Sequence, residues 1–204
     1  MEILLFIFPL LSFLLNQFFS EKIRTDFLYA LNIFLIGLTF FLGLYIFFKI
    51  LNLDKDLPLF LYSLIKFDGF SIDWSLRFDL FVSVLIILTT FIGFFLTLYL
   101  INLSKNHIIN FQIYSNLSLS IFGVLVLISS NNLIQFFLGW YLIILSSYLI
   151  SNISKNKVDN SNIFFQNRVS DLCFFLSLYF IYKLSNSINF DEIFKSFHNV
   201  KQNV

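Results

Sequence analysis

The chain has 204 residues, 58% of them hydrophobic, 21% aromatic and 12% charged, with a formal net charge of +1. A soluble domain carries about 25% charged residues, so there is too little polar side chain here to cover a water-facing surface, and intrinsic disorder, which needs low hydrophobicity, is excluded with it. A mean hydropathy of +0.86 points to an integral membrane protein, and the near-neutral charge offers nothing to nucleic acid.

A membrane helix needs about 20 mostly apolar residues, because the hydrocarbon core is about 30 Å thick and a helix rises about 1.5 Å per residue. Stretches free of Asp, Glu, Lys and Arg run over 3–20, 27–48, 80–104 and 106–154. The last is long enough for two spans, with Ser129-Ser130-Asn131-Asn132 as the turn between them. A sixth stretch, 162–183, contains Arg168 and Asp171. The expected fold class is therefore all-α integral membrane, with six transmembrane helices at 3–20, 27–50, 79–102, 111–130, 133–151 and 162–183 forming a bundle over 1–183. The first span lacks the basic n-region and small-residue cleavage site of a signal peptide and is read as retained.

The connection 52–78 has a pattern of its own. Phe67-Asp68-Gly69-Phe70 places an Asp-Gly pair, suited to a type I′ turn, between apolar flanks. After it Phe70, Ile72, Trp74, Leu76 and Phe78 alternate with Ser71, Asp73, Ser75 and Arg77, the strand period. The pattern predicts a β-hairpin outside the membrane, between the second and third helices. Residues 184–204 are a polar tail in which Asn189-Phe190-Asp191-Glu192 resembles a capping box, predicting a short surface helix over 190–199.

Lys22, Arg24, Lys105, Lys155 and Lys157 fall on the face opposite the N-terminus and make that face the inner one by the positive-inside rule, although Lys49, Lys55 and Lys66 work against it. The usage of amino acids is skewed: 31 Phe against a single alanine, Ala30. Phe, Ile, Asn, Lys and Tyr have A/T-rich codons, so an A/T-rich, organellar genome is expected.

Cys173 is the only cysteine, which excludes a disulfide framework and reads as an apolar filler within a helix. His107 and His198 both lie outside the spans, so axial haem ligands, a clustered Cys/His metal site and a membrane-embedded Ser/His/Asp arrangement are all missing. No glycine-rich nucleotide cradle is present.

Arg168 and Asp171 are three residues apart and share a helix face, with Asn167 and Ser170 beside them. A charge near the bilayer centre costs roughly 2.5–3.5 kcal/mol on insertion scales, so such groups pair, face protein or line a water path. A proton or ion relay is one reading; a structural ion pair, or an Arg snorkelling to the nearer surface, is the other. In the fifth helix Tyr141, Leu145, Tyr148 and Asn152 share a face, where hydroxyls can bond across a bundle, as can Ser146 and Ser147.

Several motifs together resemble one family. Pro9-Leu10-Leu11-Ser12-Phe13-Leu14 is similar to its "PLLGFL", and Phe78-Asp79-Leu80 to its third-helix entry. The run Asn131-Asn132-Leu133-Ile134-Gln135-Phe136-Phe137-Leu138-Gly139-Trp140 resembles its "DNLLxxxxGW". Ser147-Tyr148-Leu149-Ile150 resembles its "SYLLI", Asn167-Arg168-Val169-Ser170-Asp171 its "NRVGD", and Asn189-Phe190 its "NF". The family is that of the antiporter-like membrane subunits of respiratory complex I (NADH:ubiquinone oxidoreductase), the subunit 5 group above all.

The resemblance implies a proton-translocating membrane-arm subunit in the mitochondrial inner membrane, with the predicted hairpin on the outer face. It implies no cofactor in this chain, the flavin and iron–sulfur clusters belonging to other subunits. Arg168 and Asp171 match the family's sixth-helix pair, which makes them, with Asn167 and Tyr141, the proton-pathway candidates. Two departures accompany it. The family's fifth helix reads Gly-Trp-Glu, whereas Tyr141 follows Gly139-Trp140 here. Family members have a dozen or more helices, so the expectation is the N-terminal piece of a split subunit. Its partners are then a second chain carrying the C-terminal remainder, other complex I membrane-arm subunits and membrane lipids. The alternatives are a degenerate structural subunit without a working proton path, and a fragment of a cation/proton antiporter.

Overall fold

The computed structural model describes the backbone of residues 2–19, 25–53, 57–67, 70–106, 112–153 and 157–202, and the side chains of 2–19, 26–52, 74–103, 112–153 and 165–197. In chain order the elements are α1 (Leu4–Phe19), α2 (Thr25–Leu53), β1 (Leu57–Phe67), β2 (Phe70–Phe78), α3 (Leu80–Asn106), α4 (Gln112–Ile128), α5 (Leu133–Ile153), α6 (Lys157–Ser185) and α7 (Phe190–Gln202).

Local chemistry sets the ends. The Asp79 carboxylate accepts from Val82 N at 2.7 Å and caps α3. Asn132 does the same for α5 through Gln135 N, also at 2.7 Å. Helix α6 stops at Asn186, whose φ of 54° is left-handed, a conformation that asparagine tolerates better than most residues. Strands β1 and β2 pair antiparallel, from Leu57 opposite Phe78 to Phe67 opposite Phe70, with irregularities between Phe60 and Tyr62 and between Ser63 and Ile65. The Asp68-Gly69 pair lies outside the described residues.

Helix α1 packs on α2 and α4, and α3 packs on the same two, so α1–α4 form a four-helix group. Helix α5 lies along α4, α6 along α5, and α7 against α6. The apolar core joins Leu5 and Phe6 of α1, Ile36 and Ile46 of α2, Leu76 and Phe78 of β2, Ile86 of α3 and Ile121 and Leu125 of α4.

The polarity of the bundle is the reverse of a soluble protein's. Phe27, Phe34, Phe41 and Phe48 form an exposed stripe on α2 at seven-residue spacing, while Asn32 and Thr39 of the same helix are fully buried. Ser83, Thr90 and Thr97 repeat this on α3. Their hydroxyls bond back to carbonyls three or four residues earlier, Thr90 to Ile86 O at 2.8 Å and Thr97 to Phe94 O at 2.6 Å, so small polar side chains fill helix contacts without stranding a donor. Phenylalanine outside and hydroxyl inside is the arrangement for a hydrocarbon solvent, where burying a small polar group between helices satisfies it and an apolar exterior is free to face lipid.

Among the described residues, three helices are long and apolar enough to cross a membrane by length and composition: Asp26–Asn52, Leu80–Leu103 and Leu133–Ile153. Helices α1 and α4 are apolar but shorter, at 16 and 17 residues.

One end of the bundle is tied by a knot of backbone. Arg77 N donates to Ser129 O at 3.0 Å, Leu133 N to Ile188 O at 3.1 Å and Phe190 N to Asn131 O at 3.3 Å. Asn131 Nδ2 donates to Ser75 Oγ at 3.2 Å, and Arg77 reaches Asp191 at 3.0 Å. The Ser129–Asn132 turn thus receives β2 on one side and the start of α7 on the other.

At the chain's beginning, Lys49 Nζ donates to Glu2 Oε1 at 2.6 Å and holds the Glu2 carboxyl below the usual carboxylate range. A lowered folded-state pKa gives stability that is complete above the ordinary glutamate value and lost as pH falls through the lowered one. Hydrogen exchange at residues 3–7 is therefore expected to quicken as the medium is acidified into that range, and Lys49→Met is expected to remove the dependence.

Candidate functional site

The charged pair of the sixth helix sits where α6 meets α5. Arg168 Nη2 lies 3.2 Å from Asp171 Oδ2, one turn apart on α6. The two side chains differ in environment: Asp171 is 12% exposed and Arg168 39%. The guanidinium carbon stands 5.5 Å from the centroid of the Tyr141 ring on α5. Three of the four residues singled out in the sequence thus converge across a helix contact, while Asn167 is half-buried beside them on α6.

Aromatic rings set this contact. Phe174, one turn beyond Asp171, stacks on Phe137 at 5.7 Å and on Trp140 at 5.4 Å. Phe136 closes the same group against Phe174 at 5.9 Å and Phe190 at 6.2 Å. The Trp140 contact holds the adjoining stretch of α5 against α6, which brings Tyr141 up to Arg168.

Chemically, the site holds one carboxylate, one guanidinium and one phenol ring, the arginine being placed between an anion and a π face. The guanidinium keeps its charge, and both the carboxylate and the ring face attract it electrostatically. Ser146 and Ser147 bond back to Ile143 O and Ile144 O on their own helix, at 2.8 and 2.9 Å, rather than across the bundle. Cys173 is exposed on α6, so it fills no packing space there. Among the described residues no group of three or more His, Cys, Asp or Glu side chains could hold a metal ion.

Sequence reasoning passed over a second polar region inside the four-helix group. Ser12 of α1 donates to Asn32 Oδ1 of α2, and its hydroxyl lies 3.0 Å from that of Ser118 on α4. Asn16, one turn after Ser12 on α1, is buried as well. The available signal was an asparagine in the interior of each of two charge-free spans, where an amide is as costly as it is in a soluble core.

Taken together, an apolar exterior, hydroxyl-lined helix contacts and an ion pair at an inner helix contact define a multi-pass helical membrane subunit. Residues 130–204 match the family model described as NADH:quinone oxidoreductase/Mrp antiporter, transmembrane. Subunit L of the NADH-quinone oxidoreductase of Rickettsia typhi is 30% identical over 96% of this chain and 31% of its own length. Chain 5 of the NADH-ubiquinone oxidoreductase of Acanthamoeba castellanii is 31% identical over 95% of this chain and 29% of its own. The chain is similar to these antiporter-like membrane subunits along nearly its whole length, and it spans about 30% of the length of the curated relatives it matches. A chain of the membrane-bound sulfane sulfur reductase, an archaeal respiratory membrane complex, superposes with a TM-score of 0.76 over 93% of this chain and 38% of that one. At 15% identity that likeness shows a shared fold.

Proposed function

We propose that this chain is a membrane-arm component of a proton-translocating NADH:ubiquinone oxidoreductase in the mitochondrial inner membrane, forming the N-terminal part of an antiporter-like subunit. In this reading α1–α6 all cross the bilayer, β1 and β2 lie on the outer face, and 184–204 is a tail at the surface. The rest of the subunit packs on the outward face of α6, where Leu172, Phe175, Leu176 and Phe180 are all more than half exposed. Other membrane-arm subunits and lipid complete the surroundings. Flavin, iron–sulfur and quinone chemistry belong to other subunits, and this chain's contribution is electrostatic.

The observation that carries the reading is the buried Asp171 carboxylate paired to an arginine that also faces Tyr141. A proton arriving near the pair changes the field on Arg168. The guanidinium answers by shifting its weight between Asp171 and the Tyr141 ring, which passes the change across the α5–α6 contact. The test is proton uptake per NADH oxidised, in sealed vesicles holding the assembled complex with Asp171→Asn or Arg168→Gln. The expected result is a lowered ratio with NADH oxidation retained.

A second reading is favoured by Tyr141 itself. A phenol ring does not supply the negative charge that a carboxylate would. The pair would then lock α6 to α5 in a structural subunit of the arm. Normal proton uptake in assembled variants would select this reading, and loss of assembly without a separate uptake defect would do so too.

A further inference from the structure

A cleft of about 360 Å³ lies at the end of the bundle where α1 terminates, α4 begins and α5 terminates. It is lined by Gln17, Gln112, Asn116 and Asn152, with Phe13 and Leu149 between them. Among the described residues its lining carries no charge, yet four side-chain amides border it, and an acyl chain filling it could bond none of them.

The polar lining continues inward. Ser115, one residue before Asn116, has its hydroxyl 3.1 Å from Phe13 O and 3.3 Å from Gln17 Oε1. One turn deeper on α4 comes Ser118, joined to Ser12 and through it to Asn32. Within this region Asn16 is 98% buried, and neither its amide nitrogen nor its oxygen has a protein partner. The Asn32 amide nitrogen, on a fully buried side chain, has none either. Buried polar atoms without protein partners are where ordered water is found, each water taking about three hydrogen bonds.

We propose that the α1–α4–α5 cleft is a hydrated vestibule whose ligand is water. It holds on the order of ten molecules and continues as ordered water along Ser115, Asn116 and Asn16 to the Ser12–Asn32–Ser118 cluster. Among the described residues the lining offers amides that bind water and no charge that would retain an ion. The vestibule belongs to the four-helix group and stands independently of the role proposed for Arg168 and Asp171.

The test uses the assembled complex in sealed membrane vesicles with Cys173→Ser as background. Single cysteines replace Gln112, Asn116 and Asn16, and a membrane-impermeant methanethiosulfonate is added from each face in turn. A thiol must ionise to react, and it ionises in water. The expected result is reaction from one face only. At 112 and 116 it should run at least about tenfold faster than at the native Cys173 of the unsubstituted chain, and it should slow with depth at 16. Reaction only with a lipophilic maleimide, or with neither reagent, would overturn the vestibule. Asn16→Leu gives a second reading that needs no labelling. If water satisfies the amide, the variant lowers the thermal midpoint of the complex; a raised midpoint would mean the site is dry.

Discussion

Gly139→Val is expected to prevent the complex from accumulating, and Gly139→Ala to lower its stability by about 1–3 kcal/mol, the usual range for overpacking. A Cβ at Gly139 would lie 2.6 Å from Leu127 N and 2.7 Å from Leu127 Cα. Those atoms are backbone of α4, so a whole helix has to move rather than a side-chain tip. Gly123 sits on the other side of the same contact, where a Cβ would be 3.0 Å from Leu142 Cβ and 3.1 Å from Ile143 N. The two glycines let α4 and α5 approach more closely than any side chain would permit, and in a membrane this close packing replaces the missing hydrophobic drive between helices. Gly93→Ala is the control. Its nearest neighbour is the Ile121 Cδ1 at 2.7 Å, the far end of a side chain that can turn away, so its effect should be the smaller. The measurement is the amount of assembled complex on a native gel and its unfolding midpoint in detergent. Equal effects at 139 and 93 would show that the close approach is not what matters.

Arg168→Met is expected to destabilise the chain more than Asp171→Asn, by about 2 kcal/mol against less than about 1. The asymmetry follows from burial. Removing the arginine leaves a carboxylate that is 12% exposed without its counter-charge, whereas removing the carboxylate leaves an arginine that is 39% exposed and still faces Tyr141. A long arginine can carry its charge toward the surface, but a short aspartate cannot. The figures stand below the roughly 3–5 kcal/mol found for breaking fully buried pairs, because Arg168 is partly screened. The double variant should recover part of the Arg168→Met loss, which a thermal midpoint series on the four proteins would read directly. A Tyr141→Leu variant should matter most in the Asp171→Asn background, where the guanidinium depends more on the ring it faces.

Much of the architecture could be read from the residues. Charge-free runs bracket α1, α2 and α3 within a few residues, because length against hydrocarbon thickness is a local property. The caps at Asp79 and Asn132 are local as well, each satisfied within three residues of itself, but it took the structure to show them. The strand period over 70–78 and the helix after Asn189 were equally local. What could not be read was which polar groups meet. Arg168 and Asp171 were visible as neighbours on one helix, but the placement of Tyr141 over the guanidinium depends on how α5 lies against α6. That in turn depends on Phe174 stacking between Phe137 and Trp140. Asn131 and Asn132 looked like a turn and proved to be the junction of β2, α5 and α7.

By itself, then, the sequence determined that this is a multi-pass membrane protein and that one helix carries a charge pair. Those properties follow from composition and short-range spacing. Only the tertiary structure decided that Gly139 is a contact point, that Ser12, Asn32 and Ser118 share one buried cluster, and that amides from α1, α4 and α5 border a common cleft. These depend on residues from 12 positions apart, Leu127 and Gly139, to 135 apart, Gln17 and Asn152. Their meeting is set by close helix packing, and no local pattern of polar and apolar residues encodes it.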